Sequence, residues 1–442
     1  MGPLTTVVGE PNRSDIYYWY KSEIQDAGAV MIQDSGAISK LLEGFSHGPL
    51  TDIRVVELGQ LLAGPFCGQL LGDMGAEVIK VEDPRLGDPM RQWGREKPHG
   101  LSLWWPVVAR NKKSVTADLR VAEGQQLLRD LVAKSDILVE NFRPGTLERW
   151  GLSYSELAEI NPALVMVRVT GFGQDGPYSA RAGYGSIGEA MGGLRYVTGD
   201  PSTPPSRSGI SIGDALAALF ATIGALSALH VAQRTGQGQV VDSAIYEAVL
   251  AMMESLIPEY VLAGYVRERT GSILPNVAPS NIYPTADGQM ILIAANQDSV
   301  FVRLAEVMGR PELSLDPRFD SHSSRGRNQV VLDDMIGAWT ASYDGEKLAE
   351  LLDQGGVPQG RIYTAAEMLS DPHFEARSDI VKLPHQELGE FPMQNVAPRL
   401  SRTPGSVRWV GPNLGEHNRA IYGELLQRSD EELLNLEKKG VI

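Results

Sequence analysis

Residues 54–82, "RVVELGQLLAGPFCGQLLGDMGAEVIKVE", indicate the fold class most clearly. They begin with Arg54–Leu58, a short β-branched run that predicts a strand. Helical spacing follows from Cys67 to Gly75, and a closing glycine is typical of a helix C-terminus. Ala76–Glu82 is β-branched again and predicts a second strand. A strand, a helix and a strand in succession predict two parallel neighbours joined by a crossover helix.

The same alternation of strands and helices continues downstream. The next predicted elements are a strand at Lys113–Leu119, an amphipathic helix at Ala122–Asp136, and strands at Ile137–Phe142 and Ala163–Phe172. Repeated units of this kind predict a mainly parallel sheet with helices on both of its faces. The sequence therefore predicts an α/β fold.

Composition narrows the classes of protein to consider. The formal net charge of −15 disfavours nucleic-acid binding, since phosphates require a basic face, although a local basic cluster can still bind a small anion. Cys67 is the single cysteine, which excludes an intrachain disulfide and fits a reducing compartment. We expect a cytoplasmic protein. The mitochondrial matrix is the alternative in a eukaryote, but the sequence shows no clear transit peptide.

Motifs for a metal or a nucleotide cofactor are absent from the sequence. The seven histidines are scattered, and neither His-x₃-His nor Cys-x₂-Cys spacing occurs. The Gly-x-Ser-x-Gly elbow and the phosphate-binding P-loop are also missing. We therefore expect no metal site and no resident cofactor.

One long apolar segment, Ile212–Val231, contains a single carboxylate, Asp214. The segment approaches membrane-spanning length, but its content of Ala, Gly and Ser favours a packed core helix, and we expect no membrane partner. Removing a carboxylate from water is costly unless the group is paired or used. From the residues alone, Asp214 is either a first-turn charge favoured by the helix dipole or a functional group.

Short stretches rich in Gly, Pro, Asn and Arg follow the predicted strands, at the sheet edge where α/β proteins bind ligands. These motifs are "LLGDMGAEVIKVE" (70–82), "NKKSV" (111–115), "VENFRPGTLERWGL" (139–152) and "SIGDALAAL" (211–219). Through them, residues 50–442 resemble the family III CoA transferases, a family that also contains the α-methylacyl-CoA racemases.

The resemblance implies a two-domain α/β protein. It has a Rossmann-like large domain built from the N- and C-terminal parts of the chain, with a smaller α+β domain inserted between them. Subunits of this family interlock, so we expect an interlocked homodimer. The expected segments are an extension at 1–49, the large domain at 50–245 and 385–442, linkers at 246–274 and 366–384, and the small domain at 275–365, which opens with a hairpin at Tyr283–Gln297.

The resemblance also implies a reaction. Asp214 matches the catalytic aspartate of the family, which attacks the thioester of an acyl-CoA and forms an aspartyl anhydride. CoA then converts this anhydride into an aspartyl-CoA thioester. The carboxylate of a second acid attacks the thioester, and CoA moves to the new acid. The partners are thus an acyl-CoA and a small carboxylic acid, and the likeness is greatest to enzymes that use succinyl-CoA and a dicarboxylate such as glutarate.

A set of further residues is assigned to the CoA and substrate site by the same resemblance. Arg85 is expected at the CoA phosphates or the adenine, Arg120 at the CoA phosphates, and Trp93 at the border of the active site. The complete binding set is Gln60, Leu61, Ala63, Arg85, Trp93, Arg120, Asn141, Phe142, Arg149 and Tyr184.

The motif "AGYGSIGEAMGGL" departs from the family pattern at Gly185, where many relatives carry an acidic residue. Racemases of the family have a His–Asp pair at the positions of Tyr184 and Gly185. Racemisation needs a proton-transfer group on each face of the α-carbon, so the missing histidine favours a transferase. The alternatives are a 2-methylacyl-CoA racemase and a non-catalytic CoA-binding subunit.

Overall fold

The computed structural model describes residues 47–442. The predicted N-terminal extension, 1–49, lies almost wholly outside this range. The strands are β1 (Arg54–Glu57), β2 (Glu77–Glu82), β3 (Lys112–Thr116), β4 (Ile137–Glu140), β5 (Val165–Thr170), β6 (Val240–Ala244), β7 (Ser280–Pro284), β8 (Met290–Ala294), β9 (Gln359–Arg361), β10 (Ile380–His385) and β11 (Gly389–Gln394).

Helices connect and cover these strands. The α-helices are α1 (Ala63–Asp73), α2 (Trp105–Val108), α3 (Ala122–Val132), α4 (Thr146–Arg149), α5 (Tyr154–Ile160), α6 (Gly185–Met191), α7 (Leu194–Val197), α8 (Ile212–Thr235), α9 (Ile245–Ala251), α10 (Leu256–Ala263), α11 (Asp298–Val307), α12 (His322–Arg327), α13 (Gln329–Thr340), α14 (Gly345–Gln354), α15 (Ala365–Ser370), α16 (Pro372–Ala376) and α17 (Asp430–Lys438). Short 3₁₀ turns occur at Pro89–Gln92, Pro98–Gly100 and Pro311–Leu315, and a π-helix occurs at Arg419–Leu425.

Six strands form one parallel sheet in the order β3-β2-β1-β4-β5-β6. Val55 on the central strand β1 is level with Val78 of β2 and Ile137 of β4. This confirms the predicted parallel α/β sheet, and the strand order is that of a Rossmann fold. The order reverses between β1 and β4, and ligands of such sheets bind at the carboxyl ends of the strands beside that point.

Several predicted strands extend past the observed ends. The strands predicted to reach Leu119, Phe142 and Phe172 end at Thr116, Glu140 and Thr170. Periodicity could not mark these ends, because each stretch beyond the strand still finishes on a large apolar residue, at Leu119, Phe142 or Phe172. Two of the three segments leave the sheet to line a cavity, so the extra residues belong to ligand-facing loops.

The large sheet has a hydrophobic core on each face. One core contains residues of α1 and α8, and the other contains residues of α3 and α5. Ile421, Tyr422 and Leu433 from the C-terminal region belong to the second core, and the Tyr422 hydroxyl donates to the Thr116 carbonyl at 2.9 Å. This packing supports a large domain made from both ends of the chain; its boundaries stay predictions.

Helix α8 has two different long faces. An alanine face, including Ala217, Ala221 and Ala225, is buried against the sheet. The opposite face, which we call the outer face of α8, exposes Leu219, Phe220, Ile223 and Leu226. Within residues 47–442 this is the one helix long and apolar enough to cross a membrane by length and composition, and its alanine face packs inside the fold.

A smaller sheet lies within the predicted small domain. The antiparallel pair β7–β8 confirms the predicted hairpin, and β9 pairs with β8. Residues of this sheet and of α11, α13 and α14 form a hydrophobic core of their own. The stretches predicted as linkers carry regular structure, since α10 lies within 246–274 and β10 begins within 366–384.

A cluster of buried charged side chains lies on strands β1, β2 and β3 and in the loop that follows β2. It comprises Glu57, Lys80, Asp88 and Lys112, which we call the buried charge cluster, and each of these side chains is at most 2% exposed. Lys80 lies 2.9 Å from Glu57 and 2.8 Å from Asp88, while Lys112 lies 2.7 Å from Glu57. Position 68 must be glycine, because a Cβ there would lie 1.8 Å from Glu57 Oε2.

Adjacent lysines of β3 offer a matched test of this cluster. Lys112→Met leaves Glu57 buried with one cation fewer, and we expect it to lower the free energy of unfolding by about 3 kcal/mol. Lys113→Met breaks only the partly exposed pair with Glu77, and we expect a loss below about 1 kcal/mol. Urea denaturation of both variants measures the difference. Equal losses would show that the cluster does not stabilise the fold.

Candidate active site

A cavity of about 480 Å³ lies at the carboxyl edge of the parallel sheet, where the strand order reverses. Its walls come from the loops after β1, β4 and β5, the start of α6 and the start of α8. The structure therefore brings together segments that are far apart in sequence. The predicted site residues that line it are Gln60, Leu61, Ala63, Trp93, Asn141, Phe142, Tyr184 and Asp214.

The loops after β1 and β4 are fixed to each other by an amide clasp. The backbone N–H of Gln60 donates to Asn141 Oδ1 at 2.8 Å, and Asn141 Nδ2 donates to the Gln60 carbonyl at 2.8 Å. Leu61 has a left-handed backbone, with φ of 62°, which costs about 1 kcal/mol or more for a residue with a side chain. Its N–H donates to Asp88 Oδ1 at 3.0 Å, so the buried charge cluster holds this conformation.

Asp214 lies in the first turn of α8 and is half-buried. Burial, together with the negative charge of Glu189, raises the pKa of its carboxyl from 3.8 to about 6, while Arg207 opposes the shift. The group is therefore largely ionised at neutral pH, yet it is more basic than an ordinary aspartate. A desolvated carboxylate of this kind is suited to attack an electrophilic carbon.

Gly185, in the motif "AGYGSIGEAMGGL", is in direct contact with Asp214. A Cβ built at position 185 would lie 2.0 Å from Asp214 Oδ2 and 2.6 Å from its carboxyl carbon. The space of any side chain at this position is thus occupied by the Asp214 carboxylate itself. The observed position of Asp214 thus requires a residue without a side chain at 185, because a Cβ would push the carboxylate to another rotamer; the backbone φ of Gly185 is ordinary.

Glu189 is a site residue that the sequence analysis did not single out. It lies one turn beyond Gly185 on α6, is buried, and pairs with Arg195 at 2.8 Å. Its other oxygen accepts from the Gly213 N–H at 3.4 Å, next to Asp214. The signal was present in the motif, because Glu189 is the only charged residue in "AGYGSIGEAMGGL".

Two arginines of the cavity were also missed. Arg143 follows the predicted Asn141 and Phe142, and Arg207 lies seven residues before Asp214. Both are exposed in the lining of the cavity. Arg143 stands inside the quoted motif "VENFRPGTLERWGL", so the motif already contained the signal; Arg207 lies in a loop without periodicity.

Three of the predicted binding residues do not line the cavity. Arg85 and Arg120 are exposed and share the carboxylates of Asp83 and Asp118, with Arg120 at 2.7 Å from each. Arg149 is exposed and donates to Thr146 Oγ1 at 3.0 Å. The predicted roles of these three side chains in the CoA and substrate site stay predictions. Residues 47–442 contain no cluster of His, Cys, Asp or Glu that could hold a metal ion.

Sheet order and cavity together define a Rossmann-type α/β enzyme with an unusually basic aspartate in its ligand crevice. The chain belongs to CoA-transferase family III, which matches residues 50–418. It is 63% identical to the succinyl-CoA–D-citramalate CoA-transferase of Chloroflexus aurantiacus, over 89% of this chain and 98% of that protein. It is 36% identical to the succinate–glutarate CoA-transferase of Agrobacterium fabrum, over 85% and 96% of the two chains.

Solved structures agree with this assignment. The crystal structure of a CAIB/BAIF family protein from Brucella suis superimposes with a TM-score of 0.77 at 37% sequence identity. The match covers 86% of this chain and all of that one. The predicted family and enzyme class are therefore confirmed.

Gly185→Ala tests the contact between α6 and Asp214. The new methyl group would displace the carboxylate, and we expect the rate of CoA transfer to fall roughly 100-fold, as misplacement of a reacting group by about 1 Å can do. Gly209→Ala is the control, because a Cβ there meets nothing within 4 Å. The measurement is the initial rate of CoA transfer by both variants. Full activity in Gly185→Ala would contradict the observed position of Asp214.

Proposed function

We propose that this enzyme transfers CoA from succinyl-CoA to a free dicarboxylic acid, with citramalate as the first acceptor to test. Asp214 carries the proposal, because a carboxylate with a pKa of about 6 faces a cavity at the ligand edge of the sheet. The choice of acids rests on relatives whose names specify succinyl-CoA with citramalate, and succinate with glutarate.

The proposed reaction starts with Asp214 ionised. One carboxylate oxygen attacks the thioester carbon, the C–S bond breaks, and CoA leaves as a thiolate with succinyl-aspartyl anhydride behind it. The thiolate then attacks the aspartyl carbonyl and releases succinate, which gives an aspartyl-CoA thioester. The carboxylate of the acceptor attacks this thioester, its C–S bond breaks, and a second mixed anhydride forms between Asp214 and the acceptor. The released thiolate then attacks the acceptor carbonyl of that anhydride, which gives the new acyl-CoA and frees the Asp214 carboxylate.

The surroundings of Asp214 support this sequence of steps. Partial burial removes water from the carboxylate, and a desolvated anion is a better nucleophile than a hydrated one. The overall reaction exchanges one CoA thioester for another of similar energy, so the proposal needs no ATP, metal or redox cofactor. The clasp between Gln60 and Asn141 fixes the wall of the cavity that the loops after β1 and β4 form. We place the thioester and pantetheine of CoA at this wall.

Asp214→Asn tests the chemistry. The amide keeps the shape of the side chain but is a poor nucleophile, so we expect exchange between succinyl-CoA and citramalate to fall to background while CoA binding persists. In the wild type, kcat/KM should rise with pH through about 6, because only the ionised carboxylate attacks. Asp200→Asn, in an exposed loop, is the control.

Two further readouts make that test decisive. Hydroxylamine added with succinyl-CoA alone should convert Asp214 into a hydroxamate, which mass spectrometry detects. Deuterium uptake at the acyl α-carbon without any acceptor acid would favour a racemase instead. Exchange that survives in Asp214→Asn would overturn the mechanism, and CoA binding without turnover on any acid would favour a non-catalytic subunit.

The proposed assembly is a homodimer. The outer face of α8 exposes four large apolar side chains, and α10 exposes Tyr260, Val261 and Leu262 nearby in sequence. Exposed clusters of large apolar side chains typically mark interfaces between chains. Separate alpha and beta subunits exist in the L-malate transferase of Chloroflexus aurantiacus, to which this chain is 42% and 40% identical, so a second family member is the alternative partner.

Light scattering on the purified chain tests the assembly. We expect twice the 48.0 kDa mass of one chain, and a loss of that dimer in Ile223→Glu, which places a charge on the outer face of α8. Leu315→Glu is the control, because Leu315 is exposed outside this face. A wild-type mass of one chain would contradict the proposal.

A further inference from the structure

The charges of the cavity are sparse and unequal. Of the side chains that line it, only Arg143, Arg207 and Asp214 are charged. Two cations face one carboxylate, in a chain whose net charge is −15. This local excess of positive charge suits a substrate that carries more than one negative group.

Arg207 has few interactions of its own. Within residues 47–442, its one hydrogen bond goes from Nη2 to Ser211 Oγ, at 3.4 Å, and no salt bridge joins it to a carboxylate. The loop is nevertheless anchored next to it, because the Ser206 N–H donates to the Thr198 carbonyl at 2.9 Å. A guanidinium on an anchored loop, without a carboxylate partner in the described chain, is available to a ligand.

Arg207 also acts on the reacting group. Its charge lowers the pKa of Asp214 against the effects of burial and Glu189, so it lies within electrostatic range of that carboxylate. Ser211 lies one turn before Asp214, lines the same cavity and accepts from Arg207 Nη2 at 3.4 Å. A ligand whose acyl carbon is at Asp214 can therefore extend its far end to Arg207. Arg143 reaches the cavity from another wall, after β4.

We propose that Arg207 binds the distal carboxylate of the diacid, the one that takes no part in thioester exchange, and so selects diacids over monoacids. The inference rests on the proposed function. It applies to donor and acceptor alike, because each diacid keeps one free carboxylate while the other reacts. A guanidinium can pair with that carboxylate through two parallel hydrogen bonds, whereas a monoacid leaves the cation unpaired.

Pairs of matched substrates distinguish recognition of the distal carboxylate by Arg207 from a general effect of Arg207 on the rate of CoA transfer. Succinyl-CoA and butyryl-CoA are compared as donors, and glutarate and pentanoate as acceptors, since each pair differs by a carboxylate in place of a methyl group. The wild type should favour the diacid in both pairs. Arg207→Met should reduce the ratio of kcat/KM values, diacid over monoacid, by roughly 10- to 100-fold, the usual effect of one charge-assisted contact. Arg207→Lys should restore part of the ratio.

Arg143→Met is the matched control, because it removes the other cation of the cavity. We expect it to change diacid and monoacid rates by the same factor. The inference is overturned if Arg207→Met lowers both rates equally, if Arg143→Met changes the ratio instead, or if the wild type does not prefer diacids. A wild type that transfers CoA to no acid at all would refute the proposed function. The wild type is therefore assayed before any variant is compared with it.

Discussion

Lys80 is the residue through which the sheet and the active site depend on each other. It is buried on β2, and it donates to Glu57 on β1 and to the Gly59 carbonyl at 2.7 Å in the loop that follows β1. It also pairs with Asp88, which accepts from the strained backbone of Leu61. Burial alone would raise the pKa of Asp88, but Lys80 holds it below its ordinary value. The charge that stabilises the central strands thus also fixes one wall of the cavity.

The position of Asp214 depends on close packing against α6, and its pKa depends on burial and on the charges of Glu189 and Arg207. Gly185 lets the carboxylate lie against the backbone of α6, where burial and Glu189 raise its pKa. Arg207 moderates that rise, so the group remains ionised at neutral pH. Helix α8 carries Asp214 in its first turn, and its alanine face is buried against the sheet. This packing keeps the carboxylate in place.

Much of the fold could be predicted because its signals are local. The strand–helix–strand run of residues 54–82 and the hairpin at Tyr283–Gln297 are both present in the structure. Asn141 and Asp214 also stand in motifs that could be matched one by one. Glu189 and Arg207 were harder to find, because their importance comes from their distance to Asp214 across separate elements. Strand ends were overpredicted, since an apolar side chain such as Phe142 or Phe172 follows each strand within two residues and was counted with it.

The contact at Gly185 also constrains how this enzyme could have diverged. A side chain at position 185 and the observed position of the Asp214 carboxylate exclude each other, because a Cβ at 185 would lie 2.0 Å from Asp214 Oδ2. For position 185 to accept a side chain, the carboxylate must adopt another rotamer or α6 must shift. A substitution at 185 is therefore also a change in the placement of the reacting group, and we expect positions 185 and 214 to evolve together.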